Sequence, residues 1–249
     1  MKALFIICTL AVAVLPACDY VDGLHHQGRE LTKHVVLGKF EYVNVKTPVA
    51  LVLQQSDDSV ARISGQDFRV ESVQFSIKNG ELIITSKDDV YSRKDQIVRI
   101  HLPVQKLNRV MLNAPTELID EGGLVLEDFS LISNGLGTYS ESDLHLQCNS
   151  IFVAAFGNNS GQHRLRGACE NMHIIMEGLA WVEASGFKAV QAEMIQRSLK
   201  NTYLNVASGL TVKMYSSGHV IYAGLPVVSY ETFPQDWKVE FGKAIHQSE

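Results

Sequence analysis

Six short apolar runs, each broken by a small residue, recur at nearly constant spacing through the second half of the chain. They occupy residues 112–115, 131–135, 153–157, 174–178, 194–198 and 212–217, and end at Pro115, Gly135, Gly157, Gly178, Ser198 and Ser217, so successive ends lie 20, 22, 21, 20 and 19 positions apart. A period of this size is the mark of a solenoid, because one repeat cannot bury its apolar face without a neighbour to stack on. Stacked in register, Leu131, Val153, Ile174, Met194 and Val212 would form one inward ladder. The glycines and serines at the breaks would sit at corners that no bulky side chain tolerates. The period therefore predicts an all-β, right-handed, parallel β-helix-like solenoid of ~20-residue coils. Residues 187–199 carry apolar side chains at helical spacing (Phe187, Val190, Met194), but their neighbours keep the repeat phase. A strand-bearing coil is the preferred reading there.

The region before the regular coils is also strand-like. Tyr42-Val43-Asn44-Val45, Val60-Ala61-Arg62-Ile63 and Ile97-Val98-Arg99-Ile100-His101-Leu102 alternate, and Pro103 is expected to end the last of them. Phe75-Ser76-Ile77-Lys78-Asn79-Gly80-Glu81-Leu82-Ile83-Ile84 places Asn-Gly between two alternating segments, which calls for a two-residue hairpin turn. Residues 87–96 read as a charged loop. The expected organisation is a signal segment over 1–17, a polar tether over 18–36 and one solenoid over 37–242. Within the solenoid, 37–106 is a less regular strand region, 107–228 holds the repeated coils, and 243–249 is a tail.

The N-terminus explains the first two of these segments. Lys2 is followed by the apolar run 3–14 and then Leu15-Pro16-Ala17-Cys18. The run is shorter than the ~20 apolar residues a membrane span requires and leads into polar sequence, as an export signal does. Leu15 three places before Cys18, with Ala17 between, resembles a bacterial lipoprotein box; the resemblance implies cleavage after Ala17 and acylation of Cys18. Several acyl chains on one residue give stable membrane attachment where a single chain does not. Asp19 resembles the signal that retains such proteins at the inner membrane, which leaves inner and outer membrane both open. The formal net charge is −5 and no basic cluster is present, which argues against nucleic-acid binding, since that depends on Lys and Arg at phosphates.

From Phe40 onward the order of segments resembles a known family. A strand ending near Val45 is followed by Pro48-Val49-Ala50-Leu51-Val52-Leu53-Gln54-Gln55, then Val60 to Gly65, Asn79-Gly80-Glu81-Leu82-Ile83-Ile84 and Ile100-His101-Leu102-Pro103. The close at Ser216-Ser217-Gly218-His219-Val220-Ile221-Tyr222-Ala223-Gly224-Leu225-Pro226 resembles a terminal Gly-Ser-Gly…Tyr-x-Gly-x-Pro signature. Together these resemble the bacterial auto-transporter adhesin head, or GIN domain, over roughly residues 37–241. The resemblance implies a β-solenoid body and a cell-envelope location, and brings no catalytic residues.

The residues that could carry chemistry are few. Cys148 and Cys169 lie one repeat apart, so they should stand at equivalent places on adjacent coils; a disulfide and two stacked buried thiols both fit. The acidic residues Glu117, Asp120, Glu121, Glu141, Asp143 and Glu183 could pair for acid–base work on a polysaccharide, though acidic turn residues are usually just solvated. His145, His163, His173 and His219 do not share one phase, and His25-His26 reads as a solvated linker pair, so no metal site is expected. No Gly-x-Ser-x-Gly elbow and no cofactor-binding signature is present. Tyr139, Trp181, Tyr203 and Tyr222 are candidates for a glycan-stacking surface, against the alternative that they, Phe156 and Tyr215 fill the core or cap ladder ends. The leading expectation is a lipid-anchored binding protein recognising a glycan, peptidoglycan or another envelope protein through an extended surface. The alternatives are a polysaccharide-processing enzyme and a periplasmic partner of an inner-membrane signalling system. Open solenoid edges also make self-association an expectation.

Overall fold

The structure is a computed structural model that describes residues 28–87, 97–135, 139–233 and 240–247. Cys18, His25, His26 and most of the 87–96 loop lie outside the described residues. The described chain is a β-solenoid of about 6 turns.

Each coil has two main sides and a short third one. On the first side the parallel stack runs through β6 (Glu81–Ser86), β2 (Tyr42–Val45), β8 (Arg109–Leu112), β11 (Asp128–Asn134) and the second half of β12 (Ser140–Phe156). It continues through the second halves of β13 (Gln162–Gly178), β14 (Trp181–Ser198) and β15 (Thr202–Met214) and ends at β17 (Val227–Thr232). The second side stacks β7 (Val98–Val104), β3 (Val49–Gln55), β9 (Thr116–Glu121), the first halves of β12 to β15, β16 (Val220–Ala223) and β18 (Ala244–His246). Strands β12 to β14 pass through the corners without a break, so one strand serves two sides.

The expected inward ladder is present. Leu82, Val43, Val110, Leu131, Val153, Ile174, Met194 and Val212 are register partners in sequence down the stack, and all are fully buried. Alternation in the sequence becomes alternation in burial because successive side chains point to opposite faces. Residues 187–198 belong to β14, as the repeat phase predicts, and Leu199 begins the corner after it.

Three expectations need correction, whereas the 37–106 region lies within the one solenoid and is irregular in its chain order. β2–β3 and β6–β7 form rungs of the same solenoid, with β2–β3 inserted between β6–β7 and β8–β9 against chain order. Residues assigned to the tether form β1 (Glu30–Val36), antiparallel to β4 (Val60–Gln66), because Leu31 and Val35 pack against the core. Beyond the expected end at 242, β18 pairs with β16 and extends the last coil. Pro103 does not end its strand: β7 runs to Val104, since β4 contacts this edge only at 99–101 and the missing N–H costs no ladder bond.

The N-terminal end is closed by antiparallel structure: β1 on β4, β4 on β7, and β5 (Val73–Lys78) on β6, with the short helix α1 (Asp67–Ser72) covering the core through Val70. The β5–β6 turn is the Asn-Gly hairpin expected, with φ of 52° at Asn79 and 75° at Gly80. Such a lid blocks edge-to-edge pairing at this end.

Gly167 is a second place where only glycine fits. It stands between register partners Leu146 and Phe187 with φ of 119°, and an added Cβ would lie 2.0 Å from the Leu146 carbonyl oxygen. Gly167→Ala is therefore expected to cost about 2–3 kcal/mol, combining left-handed strain with forced separation of two rungs. Urea unfolding of the two proteins measures it; equal midpoints would refute the reading.

Candidate functional site

Outward positions on the first side form columns one residue per rung. One column is Asp128, Ser150, Asn171, Gln191 and Gly209; the next is Ser130, Phe152, His173, Glu193 and Thr211. Between them runs a trough of about 460 Å³ crossing the rungs. Its floor is the strand backbone over the buried Phe129, Ile151, Met172 and Ala192. Four steps of ~4.8 Å between its five rungs make it about 19 Å long.

The second column is rigidly organised. The Phe152 and His173 rings stack at 5.3 Å with 30° between planes. His173 Nδ1 lies 3.0 Å from Glu193 Oε2, and Lys213 Nζ donates to Glu193 Oε1 at 2.6 Å. The Lys213 ammonium holds the Glu193 carboxyl below the usual carboxylate range, and His173 acts in the same sense. The opposite wall offers hydroxyl, carboxylate and amide groups with no side-chain charge of positive sign. Aromatic surface beside planar hydrogen-bonding side chains is the chemistry of a polyhydroxylated ligand, whose C–H faces stack while its hydroxyls bond.

A second cleft, of about 640 Å³, lies near the N-terminal end between residues 37–42, 57–59, 79–80 and 103–106. Its polar groups are largely engaged already. Gln105 Nε2 donates to Asp57 Oδ1 at 2.8 Å, Asp58 accepts from the Ser59 and Val60 amides, and the Tyr42 ring carries the Arg109 guanidinium at 4.8 Å.

The aromatic candidates from the sequence do not converge. Trp181 and Tyr203 meet edge-on at 6.3 Å on the second side. Tyr222 packs against His246 at the C-terminal end, and Tyr139 stands apart with its hydroxyl donating to Glu141. Tyr215 stacks on Phe233 at 4.7 Å under Arg197. Phe152, the aromatic that lines the trough, was not among the candidates. Its outward phase, one residue before the ladder position Val153, and its spacing of one coil from His173 were the available signals.

Of the six acidic candidates, Glu117 and Glu141 are register partners on an outward column, in a dip of about 290 Å³. Glu141 accepts from the Tyr139 hydroxyl, and the other four are engaged as well. Asp143 binds Arg164 at 3.3 Å and Arg166 at 2.7 Å, and Asp120 accepts from the Gly123 and His145 amides. Glu121 faces His101 at 3.6 Å, and Glu183 accepts from the Ser185 amide.

Cys148 and Cys169 are register partners, as their spacing predicts, and both are free thiols in this structure. At the C-terminal end β17 pairs only with β15 among the described residues, leaving Leu225 and Val227 more than 80% exposed. Expected self-association would fall on this edge.

The family described as "Putative auto-transporter adhesin, head GIN domain" matches residues 39–226. The chain belongs to this family. The match spans the GIN domain from the inserted β2–β3 rung to the Pro226 corner. Solved structures agree on the fold. A putative adhesin from Bacteroides fragilis NCTC 9343 superposes with a TM-score of 0.77 at 18% identity, covering 88% of this chain and 97% of that one. A putative adhesin from Parabacteroides merdae ATCC 43184 gives 0.64 at 14% identity, covering 90% and 98%. A protein described as a putative lipid binding protein from Parabacteroides distasonis ATCC 8503 gives 0.63 at 12% identity, covering 90% and 98%. Among curated proteins no relative matches the chain. At these identities the GIN domain neighbours share the solenoid, and the trough residues are argued from this chain alone.

Proposed function

We propose that this GIN domain is an envelope-anchored binding protein that takes a linear glycan lengthwise along the trough of the first side. The observation that carries the reading is the Phe152–His173 stack facing the Asn171 and Gln191 amides across a trough that crosses successive rungs. A rung spacing of ~4.8 Å is close to the length of one hexopyranose unit, so successive sugars meet successive rungs, each with its own side chains. Phe152 supplies the stacking face, and Asn171, Gln191, His173 and Glu193 supply bonds to vicinal hydroxyls. Membership of an adhesin-like family supports a place in the cell envelope, and attachment through an acylated Cys18 rests on the lipoprotein-like box Leu15-Pro16-Ala17-Cys18.

Calorimetric titration of the protein with defined oligosaccharides from peptidoglycan and from extracellular polysaccharides tests the reading. Phe152→Ala is expected to weaken binding about tenfold, the equivalent of ~1.4 kcal/mol, whereas Trp181→Ala on the second side leaves it unchanged. Loss of binding in Trp181→Ala with retention in Phe152→Ala would move the site to the Trp181–Tyr203 face and overturn this assignment. Cys18→Ser is expected to release the protein from the membrane fraction, and persistence there would refute the anchor.

A further inference from the structure

The third side of the coils carries a column that is aliphatic apart from two thiols: Cys148 faces Cys169, which faces Ala189, which faces Val206. Cys169 is buried at 6% exposure while Cys148 is only partly covered. The two thiols stand side by side as register partners on adjacent rungs, and each perturbs the titration of the other.

We propose that Cys148 and Cys169 form an oxidative modification site, in which a disulfide-bearing oxidant converts the stacked thiols into a bond stapling two adjacent rungs. In-register neighbours at ~4.7–4.9 Å fall inside the ~4.4–6.8 Å Cα range a disulfide accepts, so the rungs need not move apart or slide. The order of events follows from exposure. The Cys148 thiolate attacks one sulfur of the oxidant, a thiol oxidoreductase disulfide or glutathione disulfide, and expels the other as a thiolate. The Cys169 thiol then gives up its proton to that leaving thiolate and attacks Cys148 Sγ. This breaks the mixed disulfide and releases the second thiol of the oxidant. Two protein thiols become one disulfide, and one oxidant disulfide becomes two thiols.

The effect of each thiol on the other runs the same way. Cys169 holds the Cys148 thiol below the usual range, which favours Cys148 as the first nucleophile. Cys148 together with burial pushes the Cys169 thiol up, so it acts second. The staple has a consequence for the trough. Ser150 and Asn171, two residues beyond each cysteine, are themselves register partners in its first column. Oxidation therefore locks the register of the two central rungs of the binding surface. In the cell the reaction depends on the export reading, which supplies an oxidising compartment; the reaction in solution does not.

The experiment treats the reduced full chain with glutathione disulfide and follows each cysteine by peptide-level mass spectrometry, which separates this pair from Cys8 and Cys18. The expected result is a peptide pair joined through Cys148 and Cys169, lighter by two hydrogens, with a raised melting temperature that dithiothreitol reverses. Cys169→Ser is expected to trap a stable glutathione adduct on Cys148, and Cys148→Ser to leave Cys169 unmodified in the folded protein. Two alkylatable thiols after exhaustive oxidation, or a lasting glutathione adduct on wild-type Cys148, would overturn the proposal. Repeating the glycan titration on the oxidised protein separates the two readings, because absence of binding in both redox forms sinks the trough assignment and leaves the disulfide result standing.

Discussion

Phe187→Ala is expected to lower the unfolding free energy by about 3–5 kcal/mol, a large share of the ~5–15 kcal/mol that holds a typical domain together. Phe187 is among the largest fully buried side chains, and it stands where the coil departs from its repeat. Between Glu183 and Lys188 the register of β14 shifts against both neighbours, so this coil carries extra residues at its third side. The added backbone widens the coil, and the register partner at 167 is a glycine that fills none of the space. One phenyl ring thus supports this widened place. Removing it leaves a cavity that the rungs cannot close, because their hydrogen-bonded spacing is fixed. In a stack where each coil contacts only its neighbours, stability is a sum of local terms, so the damage should stay local. Hydrogen exchange is expected to show lost protection across residues 162–214 while β2, β3, β6 and β7 keep theirs. Uniform loss along the whole solenoid, or a destabilisation below 1 kcal/mol by urea unfolding, would refute this account.

The same locality explains what could be read from the sequence. The ladder Leu131, Val153, Ile174, Met194 and Val212 was legible because each coil repeats the same apolar position at nearly the same interval. The Asn79-Gly80 hairpin was legible because positive φ at two successive residues has a strong local signature. The insertion of β2–β3 between β6–β7 and β8–β9 was not, since pairing across chain order leaves no periodic trace: Val43 meets Leu82 and Val110 at unequal separations. β1 was hidden because a strand paired on one edge only needs few apolar residues, here Leu31 and Val35. Of the trough, the phase was legible and the partners were not. Phe152 becomes a binding candidate only when the outward column sets it beside His173, and Glu193 only when Lys213 reaches it from the next coil. The second side hides a different kind of residue. His163 sits at an inward ladder position between Ser142 and Val182, in a column that also carries Leu118.

That histidine makes the fold acid-labile. His163 is completely buried, and burial pushes its pKa down to about 4. Ser142 Oγ lies 2.9 Å from Nδ1, and Nε2 finds no partner among the described residues. The residues packed around it, Ser142, Val182 and the Asn159–Gly161 corner, bring no charge that would favour an imidazolium. Above pH ~6.5 the ring is neutral whether the chain is folded or not, and it contributes no pH dependence. Below that value the unfolded chain binds a proton that the folded chain refuses, so stability falls as pH falls, by ~1.4 kcal/mol per unit. The loss ends near the folded-state value of about 4, having reached about 3 kcal/mol. His101 titrates in the same sense, lowered first by partial burial and then by Arg62, but it keeps solvent and Glu121 beside it and contributes less. Urea unfolding of wild type and His163→Leu at pH 7.5, 5.5 and 4.5 isolates the buried ring, since all other titrating groups are common to both. The gap between the two proteins is expected to widen in favour of the leucine variant by about 2–3 kcal/mol across that range. Parallel pH profiles would mean that His163 is protonated in the folded protein, and the interior of the second side would then have to supply water or a charge to hold it.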